Sequence, residues 1–352
     1  MLVLGGTGAM GMHLCAYLAE TGFDVVATSR KQRVSTAAGI TFVKADAKSP
    51  EELARLLDGS RWDAIVDFMV WSTAEFRSVY QLILANTDQY VFVSSYRVYA
   101  DAPVLTEGSP RLLDVTDDEA YLATDEYALA KARCEDLLQG ESAGNWTIVR
   151  PAITFDESGR FQLGTMESSL WLWRACNGVS VPFPAPMLGK RTTLTQGKSV
   201  ARMIERLVGN ARALGEVFNV STSDSLTWAE VVQLYQSVVP FEVVECDLDD
   251  YARERGGVWQ IRYDRMFDRV VDNSKVLRVT GLNAADVGSA RTCLAAELRA
   301  YLDSGCAVAP NASLQAKMDR LVGGHPSLKP LLLGDQVCGN VLRYAKYSLI
   351  MR

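Results

Sequence analysis

Short apolar runs alternate with amphipathic stretches through the first 150 positions. Leu2 to Leu4 reads as a buried strand, and a glycine turn leads from it into a helix whose apolar face is Met12, Leu14, Tyr17 and Leu18. Phe23 to Thr28 supplies a second strand and Thr41 to Val43 a third. A helix over Glu51 to Leu57, a strand Ala64 to Asp67, a helix around Phe76 to Leu84 and a strand Tyr90 to Val93 continue the pattern. Continuous apolar strands alternating with helices predict an α/β fold, a parallel sheet whose two faces are both covered by crossover helices. Trp146 to Pro151 adds another strand running into a turn. Pro182, Pro184 and Pro186, with Gly178 and Gly189, then predict an irregular region in a second, smaller lobe.

Composition narrows the class without naming it. The chain has 352 residues, of which 48% are hydrophobic and 22% charged, enough for one large domain or two lobes sharing a cleft. A net charge of −6 argues against a broad surface for nucleic acid, since phosphate binding needs clustered Lys and Arg. The seven cysteines, at 15, 134, 176, 246, 293, 306 and 338, form no Cys-x-x-Cys pair, so neither a disulfide framework nor a zinc site is expected. His13 and His325 form no metal cluster, and no metal is expected. No apolar stretch reaches membrane-spanning length, and the first four residues run directly into the glycine turn, so no signal peptide is expected. The expectation is a cytoplasmic protein with reduced thiols and no membrane partner.

The turn Gly5-Gly6-Thr7-Gly8-Ala9-Met10-Gly11 lies between a strand and a helix. Such a turn lets the backbone approach a pyrophosphate, and the helix N-terminus then offers N–H groups to the anion. The residues expected at a dinucleotide are therefore Gly5, Thr7, Gly8, Ala9, Met10 and Gly11. At the end of the second strand, NAD sites usually carry Asp or Glu for the ribose 2′-hydroxyl. This chain has Ser29 and Arg30, with Lys31 and Arg33 close behind, which favours the 2′-phosphate of NADP, with NAD as the alternative. Asp46, after the third strand, is a candidate for the adenine edge.

Downstream stand Ser94-Ser95 and Tyr127-Ala-Leu-Ala-Lys131. A free Tyr phenol, with a pKa of about 10, is a poor base near neutral pH, and an ammonium on the same helix face favours its charged form. The spacing of four puts Lys131 on the face of Tyr127. Thr124 is the expected N-cap of this helix, with Asp125 and Glu126 in its first turn and Gly140 at its end. Alone, such a pair is also what an ordinary solvent-facing helix carries. Cys176, among Trp171, Trp173 and Arg174, is expected to be packing.

Taken together these motifs resemble an extended short-chain dehydrogenase/reductase of the NAD-dependent epimerase/dehydratase family, the group that includes UDP-galactose 4-epimerase. The resemblance spans about residues 1 to 300 and rests on the glycine turn, Ser94 to Tyr99, Tyr127 with Lys131, Arg150-Pro151, Gly215 to Val220, and Asp272 to Lys275. It implies a Rossmann doubly wound parallel sheet over residues 1–165. A mainly substrate-binding lobe follows over 166–310, with segments returning to the first domain, and 311–352 is a C-terminal extension without an assigned role. It also implies Ser95 on the reacting hydroxyl or carbonyl, Tyr127 as acid/base and Lys131 on the nicotinamide ribose. Ser95, Tyr96 and Arg191 are implied as substrate contacts, Arg191 against a diphosphate, and the assembly as a homodimer. Asp272 to Lys275 is expected to open a helix and organise the lobe, with Arg265 or Arg269 before it as alternative candidates for a phosphate contact.

Departures from the family pattern bear on the reaction. Dehydratases of the family carry Thr-Asp-Glu where this chain reads Ser95-Tyr96-Arg97, and decarboxylating relatives keep a Glu at the position of Arg97, so both reactions are disfavoured. Phe155-Asp156 and Thr195-Gln196-Gly197-Lys198 replace further pocket motifs. The expected function is therefore an NAD(P)-dependent epimerase of a nucleotide sugar working through a keto intermediate. The alternatives are an NADPH-dependent reductase of a keto sugar or other small carbonyl compound, and a non-catalytic dinucleotide-sensing or RNA-associated protein.

Overall fold

The apolar runs become strands at the expected places. In a computed structural model, which describes residues 1–35, 37–59, 61–306, 308–323 and 337–349, the first unit comprises Met1–Thr154, Thr193–Asp224 and Val270–Ser289. Its sheet has seven strands: β1 Leu2–Leu4, β2 Val25–Ser29, β3 Ile40–Lys44, β4 Ile65–Asp67, β5 Tyr90–Val93, β6 Trp146–Pro151 and β7 Glu216–Val220. All neighbours pair in parallel in the order β7-β6-β5-β4-β1-β2-β3, the reversal falling between β1 and β4. This is the doubly wound Rossmann arrangement the sequence predicts.

Alternation along each strand sends side chains to two cores. Val3, Ala27, Val66 and Val91 pack under helices α1 (Ala9–Glu20) and Gly197–Leu207. Leu2, Leu4, Ile65 and Phe92 pack under helices α2 (Pro50–Leu57), α3 (Thr73–Ala85) and α4 (Tyr127–Gln139). One expected face is rotated. In α1 the buried positions are Gly11, Leu14, Cys15 and Leu18, while Met12 is 42% exposed. Gly11 sets this phase, because a Cβ there would lie 2.8 Å from the Gly6 Cα, so the helix side bearing Gly11 is the one pressed against the turn.

The second unit comprises Phe155–Thr192, Ser225–Arg269 and Ala290–Arg352. The proline-rich stretch is more regular than expected: Val181–Pro184 is a strand paired in parallel with Val243–Cys246. With that one partner it is an edge strand, where the missing N–H groups of Pro182 and Pro184 are tolerated. Trp171 stacks on Tyr235 at 4.3 Å between ring centroids. Arg174, fully buried, donates to Asp319 Oδ1 at 2.8 Å and to Gln315 Oε1 at 3.0 Å, and the Tyr344 hydroxyl donates to Asp319 Oδ2 at 2.7 Å. These bonds fasten the helices Ala312–Leu321 and Val337–Leu349 to this unit. Cys176 departs from expectation, being exposed at the end of a helix whose preceding five residues are buried. His325 lies outside the described residues.

The helix Trp228–Gln236 opens with a capping box in which Glu230 accepts the Thr227 backbone N–H at 2.7 Å and an N–H of Arg291 at 2.8 Å. The Thr227 amide first, and Arg291 second, lower the Glu230 carboxyl from the ordinary 4.5 to about 2. A depressed folded value gives stability that is complete above 4.5 and is lost as pH falls toward 2. Glu230→Gln therefore unfolds at lower temperature than the wild type at neutral pH, and the two melting temperatures converge between about pH 4.5 and pH 2. Thermal unfolding followed across that range checks it.

Candidate active site

Of the residues expected at the dinucleotide, Gly5, Thr7, Gly8, Ser29, Arg30 and Asp46 lie at the carboxyl ends of strands or in the turns that follow, Ala9, Met10 and Gly11 in the first turn of α1, and Lys131 within α4. Gly5 has φ +70°, a backbone that L side chains rarely adopt, and its N–H donates to Thr28 Oγ1 at 2.9 Å. Gly8 caps α1 in an extended conformation with no side-chain cap hydrogen bond, and a Cβ on it would meet nothing within 4 Å. The first turn of α1 is thus an anion-binding end without a side chain of its own to satisfy it. A cleft of about 490 Å³ opens there, lined by Gly5, Thr7, Ser29, Arg30, Asp46 and Lys48 among others. Arg30 is exposed at its edge and Ser29 buried, its Oγ accepting the Lys31 N–H at 3.3 Å. The glycine cradle and the uncapped helix end fit a dinucleotide pyrophosphate, and the polar lining fits its adenosine half. Ala9 and Met10 begin α1 directly beneath.

Lys48 was not anticipated from sequence. It lines the cleft and pairs with Glu75 at 3.0 Å. Asp46 Oδ1 accepts the Lys48 backbone N–H at 3.1 Å, which shapes the loop after β3.

Helix α4 begins at Tyr127 itself. Its N-cap is Glu126, whose carboxylate accepts the Ala128 N–H at 2.8 Å, rather than Thr124. Thr124 is occupied locally, donating to the Tyr121 carbonyl at 2.7 Å and accepting the Glu126 N–H at 3.2 Å. Gly140 ends the helix as expected. Lys131 is 2% exposed, and its Nζ donates to the Val93 carbonyl at 2.7 Å and the Met69 carbonyl at 3.1 Å. The ammonium lies 4.5 Å from the Phe92 ring centroid and 6.0 Å from that of Tyr127. Two of its three donors are thereby fixed at the ends of β4 and β5.

Asp67, at the end of β4, holds one of those carbonyls in place. Fully buried, it accepts from the Met69 N–H at 2.7 Å, the Trp71 indole at 2.7 Å and the Tyr90 hydroxyl at 2.6 Å. Burial raises its carboxyl above the ordinary range against these bonds. An Asp closing an apolar strand was the available signal.

The two serines after β5 separate in role. Ser94 donates to the buried Glu135 at 2.5 Å and is structural. Ser95 keeps its hydroxyl at the strand end, 6% exposed, where it accepts the Arg97 N–H at 3.2 Å. Tyr96 is only 2% exposed. The guanidinium of Arg97 lies 5.0 Å from the Tyr127 ring centroid and donates to Glu126 at 2.5 Å.

Several family-like motifs away from this centre form one internal brace. Arg150 holds Glu135 with two bonds, 2.9 and 2.5 Å, and stacks 4.7 Å from the Tyr99 ring centroid. The Tyr99 hydroxyl, its pKa pushed up to about 12 chiefly by burial, donates to Asn219 Oδ1 at 2.7 Å, and Asn219 Nδ2 donates to the carbonyls of Leu105 and Asp272. Asp272 precedes the helix Ser274–Thr280, as expected, and accepts the Ser274 N–H at 2.6 Å.

In the second unit Arg191 is exposed, with its guanidinium hydrogen-bonded to the Ser225 hydroxyl and carbonyl. Arg265 and Arg269 do not present themselves to a phosphate. Both are buried, and both pair with Asp264, Arg269 at 3.0 Å.

Known proteins resemble the chain in sequence and in fold. Residues 5–170 match a family described as NAD(P)H-binding. Over 267 residues the chain is 26% identical to dTDP-6-deoxy-L-talose 4-dehydrogenase (NAD(P)(+)) of Kitasatospora kifunensis, covering 70% of this chain and 82% of that protein. A UDP-galactose 4-epimerase structure superposes with a TM-score of 0.65 at 16% identity, over 86% of this chain and 98% of the other. The dTDP-glucose 4,6-dehydratase of Bacillus anthracis, in complex with NAD, gives 0.64 at 15% identity over 86% and 96%. The chain carries an NAD(P)-binding domain in the fold of the extended short-chain dehydrogenases/reductases. Its fold is similar to that of the epimerase and dehydratase structures, and its sequence to an NAD(P)(+)-dependent sugar-nucleotide dehydrogenase, the kind of relatives its motifs implied. Among the described residues no helix is long and apolar enough to cross a membrane.

Proposed function

We propose that the protein is an NAD(P)-dependent epimerase of a nucleotide sugar, acting through a keto intermediate. The observation that carries this reading is the fixed ammonium of Lys131 beside the Tyr127 ring, on the helix that follows the Ser95 strand end. A nicotinamide held at this cleft would supply the acceptor and later the donor of the hydride exchanged at the carbinol carbon. Tyr127 takes the hydroxyl proton as the carbinol becomes a ketone and gives it back on the other face of the rotated sugar. Ser95 Oγ hydrogen-bonds the same oxygen and orients it. Lys131 offers its remaining donor to the nicotinamide ribose, with its ammonium 6.0 Å from the Tyr127 ring centroid. Arg191 is the candidate for the substrate diphosphate, since a planar guanidinium suits two phosphate oxygens.

The alternative is reduction of a keto sugar by NADPH, in which the same residues end after one transfer. Arg30 favours it, because a cation on the cleft edge suits the adenosine 2′-phosphate and external NADPH is then the reductant. Arg30→Asp is expected to weaken NADPH binding by about tenfold or more, in line with loss of a charge-assisted phosphate contact, while leaving NADH binding within about threefold. Calorimetric titration with both cofactors measures this.

Mass spectrometry of ligand released from freshly purified protein separates the readings, followed by assay of UDP- and dTDP-linked hexoses and their 4-keto forms. Retained oxidised cofactor and interconversion of C4 epimers support the epimerase. An empty site and turnover only with added NADPH support the reductase. Binding of neither cofactor ends both.

A further inference from the structure

We propose that Arg97 is a positioning residue for Tyr127, clamping the phenol ring in place beside the Ser95 hydroxyl; the inference rests on the reading of Tyr127 as acid/base. Three bonds converge on this one side chain and its backbone. The guanidinium stands 5.0 Å from the Tyr127 ring centroid, within the range of a cation–π contact. The same group donates to Glu126 Oε1 at 2.5 Å, and the two side chains are only 14% and 16% exposed, so solvent screens the pair weakly. The Arg97 backbone N–H donates to Ser95 Oγ at 3.2 Å.

Glu126 makes the clamp specific to the reacting ring. Its other oxygen caps the helix at Ala128 and accepts the Tyr121 hydroxyl at 3.2 Å, so the carboxylate that grips Arg97 also fixes where the helix of Tyr127 starts. Two segments 29 residues apart in sequence are thereby tied at the point where the hydroxyl of one and the phenol of the other must face a single substrate oxygen. Lys131 holds the ring's other surroundings through backbone carbonyls and does not touch the Ser95 loop through any of these bonds. Arg97 is thus the residue whose backbone N–H holds the Ser95 hydroxyl and whose guanidinium lies against the Tyr127 ring. Misplacing a reacting group by about 1 Å costs on the order of 10²-fold in rate, so such a clamp affects turnover without touching substrate.

The test uses the whole chain with oxidised cofactor, NAD+ or NADP+, and UDP-galactose, or with the nucleotide hexose turned over fastest in the panel above. Arg97→Ala is expected to lower kcat by about 10- to 100-fold with KM changed less than about threefold. Arg97→Lys, which keeps the charge but not the planar face, recovers part of the loss. Glu126→Gln retains an oxygen for the Ala128 N–H while losing the charge, and is expected to lower kcat in the same direction even if Arg97→Ala folds poorly. The decisive comparison is in a Tyr127→Phe background, where Arg97→Ala should cost less than about twofold, because an effect exerted through the phenol cannot be lost twice. Equal losses in the two backgrounds, or undiminished turnover of Arg97→Ala beside an inactive Tyr127→Phe, overturn the role of Arg97. A Tyr127→Phe protein that works as well as the wild type overturns the acid/base reading instead.

Discussion

Tyr127→Phe lowers kcat by about 10²- to 10⁴-fold and leaves NADPH affinity within about threefold, the loss typical of removing a positioned general acid/base. The substitution deletes one oxygen and keeps the ring. That ring stays packed under the Arg97 guanidinium and near the Lys131 ammonium, whose hydrogen bonds go to the carbonyls of Val93 and Met69. None of the glycine turn, the uncapped end of α1 or the cleft lined by Arg30 and Asp46 involves the phenol oxygen, so cofactor binding has no reason to change. A combined fall in kcat and in cofactor affinity would instead mean that the ring supports the cleft. Steady-state kinetics together with a cofactor titration tells the two apart.

Glu135→Ala destabilises the protein by about 3–5 kcal/mol, the cost of leaving a buried charge without its partner. Glu135 is fully buried, accepts the Ser94 hydroxyl, holds Arg150 through two bonds, and lies 3.4 Å from an Arg111 nitrogen. Arg150, its own side chain 3% exposed, would remain in the sheet with no carboxylate opposite it, stacked on Tyr99. Urea unfolding is the measurement, and a loss below about 1 kcal/mol would mean that water or Arg111 readily takes over. Pairing Glu135→Leu with Arg150→Met should recover much of the loss, since replacing both members of a buried ion pair is far less costly than breaking it. The same brace gives Arg150, Tyr99, Asn219 and Asp272 a structural role: they join β6, β7 and the segment before the helix Ser274–Thr280.

Much of the first unit was legible because parallel strands buried on both faces leave unbroken apolar runs, and Leu2–Leu4, Tyr90–Val93 and Trp146–Pro151 match residue for residue. The glycine turn was legible because a strand, a Gly-rich turn and a helix are contiguous in sequence. Phase was harder to read than type. Met12 is as apolar as Leu14, and only the close approach of Gly11 to Gly6 decides which side of α1 turns inward. Thr124 is the better cap by residue type, yet its hydroxyl is taken by the Tyr121 carbonyl and the cap passes to Glu126. What periodicity cannot carry is pairing across distance. Arg97 with Glu126 and Lys48 with Glu75 are set by where the chain returns, while Asp264 turns inward to take its sequence neighbours Arg265 and Arg269, so arginines offered as phosphate contacts prove to be internal ties. Cys176 follows the buried Trp171 and Trp173 in sequence and faces solvent because its helix ends there.

The central claim is hydride exchange at a carbinol, with Tyr127 moving the proton, and deuterium at that carbon tests it most directly. With the nucleotide hexose that the protein turns over, labelled at the reacting C–H, the account predicts a primary isotope effect and deuterium recovered at C4 of the nicotinamide or returned to the same sugar carbon. Label lost to water, or an unchanged rate with no label on either molecule in single-turnover experiments, would contradict it.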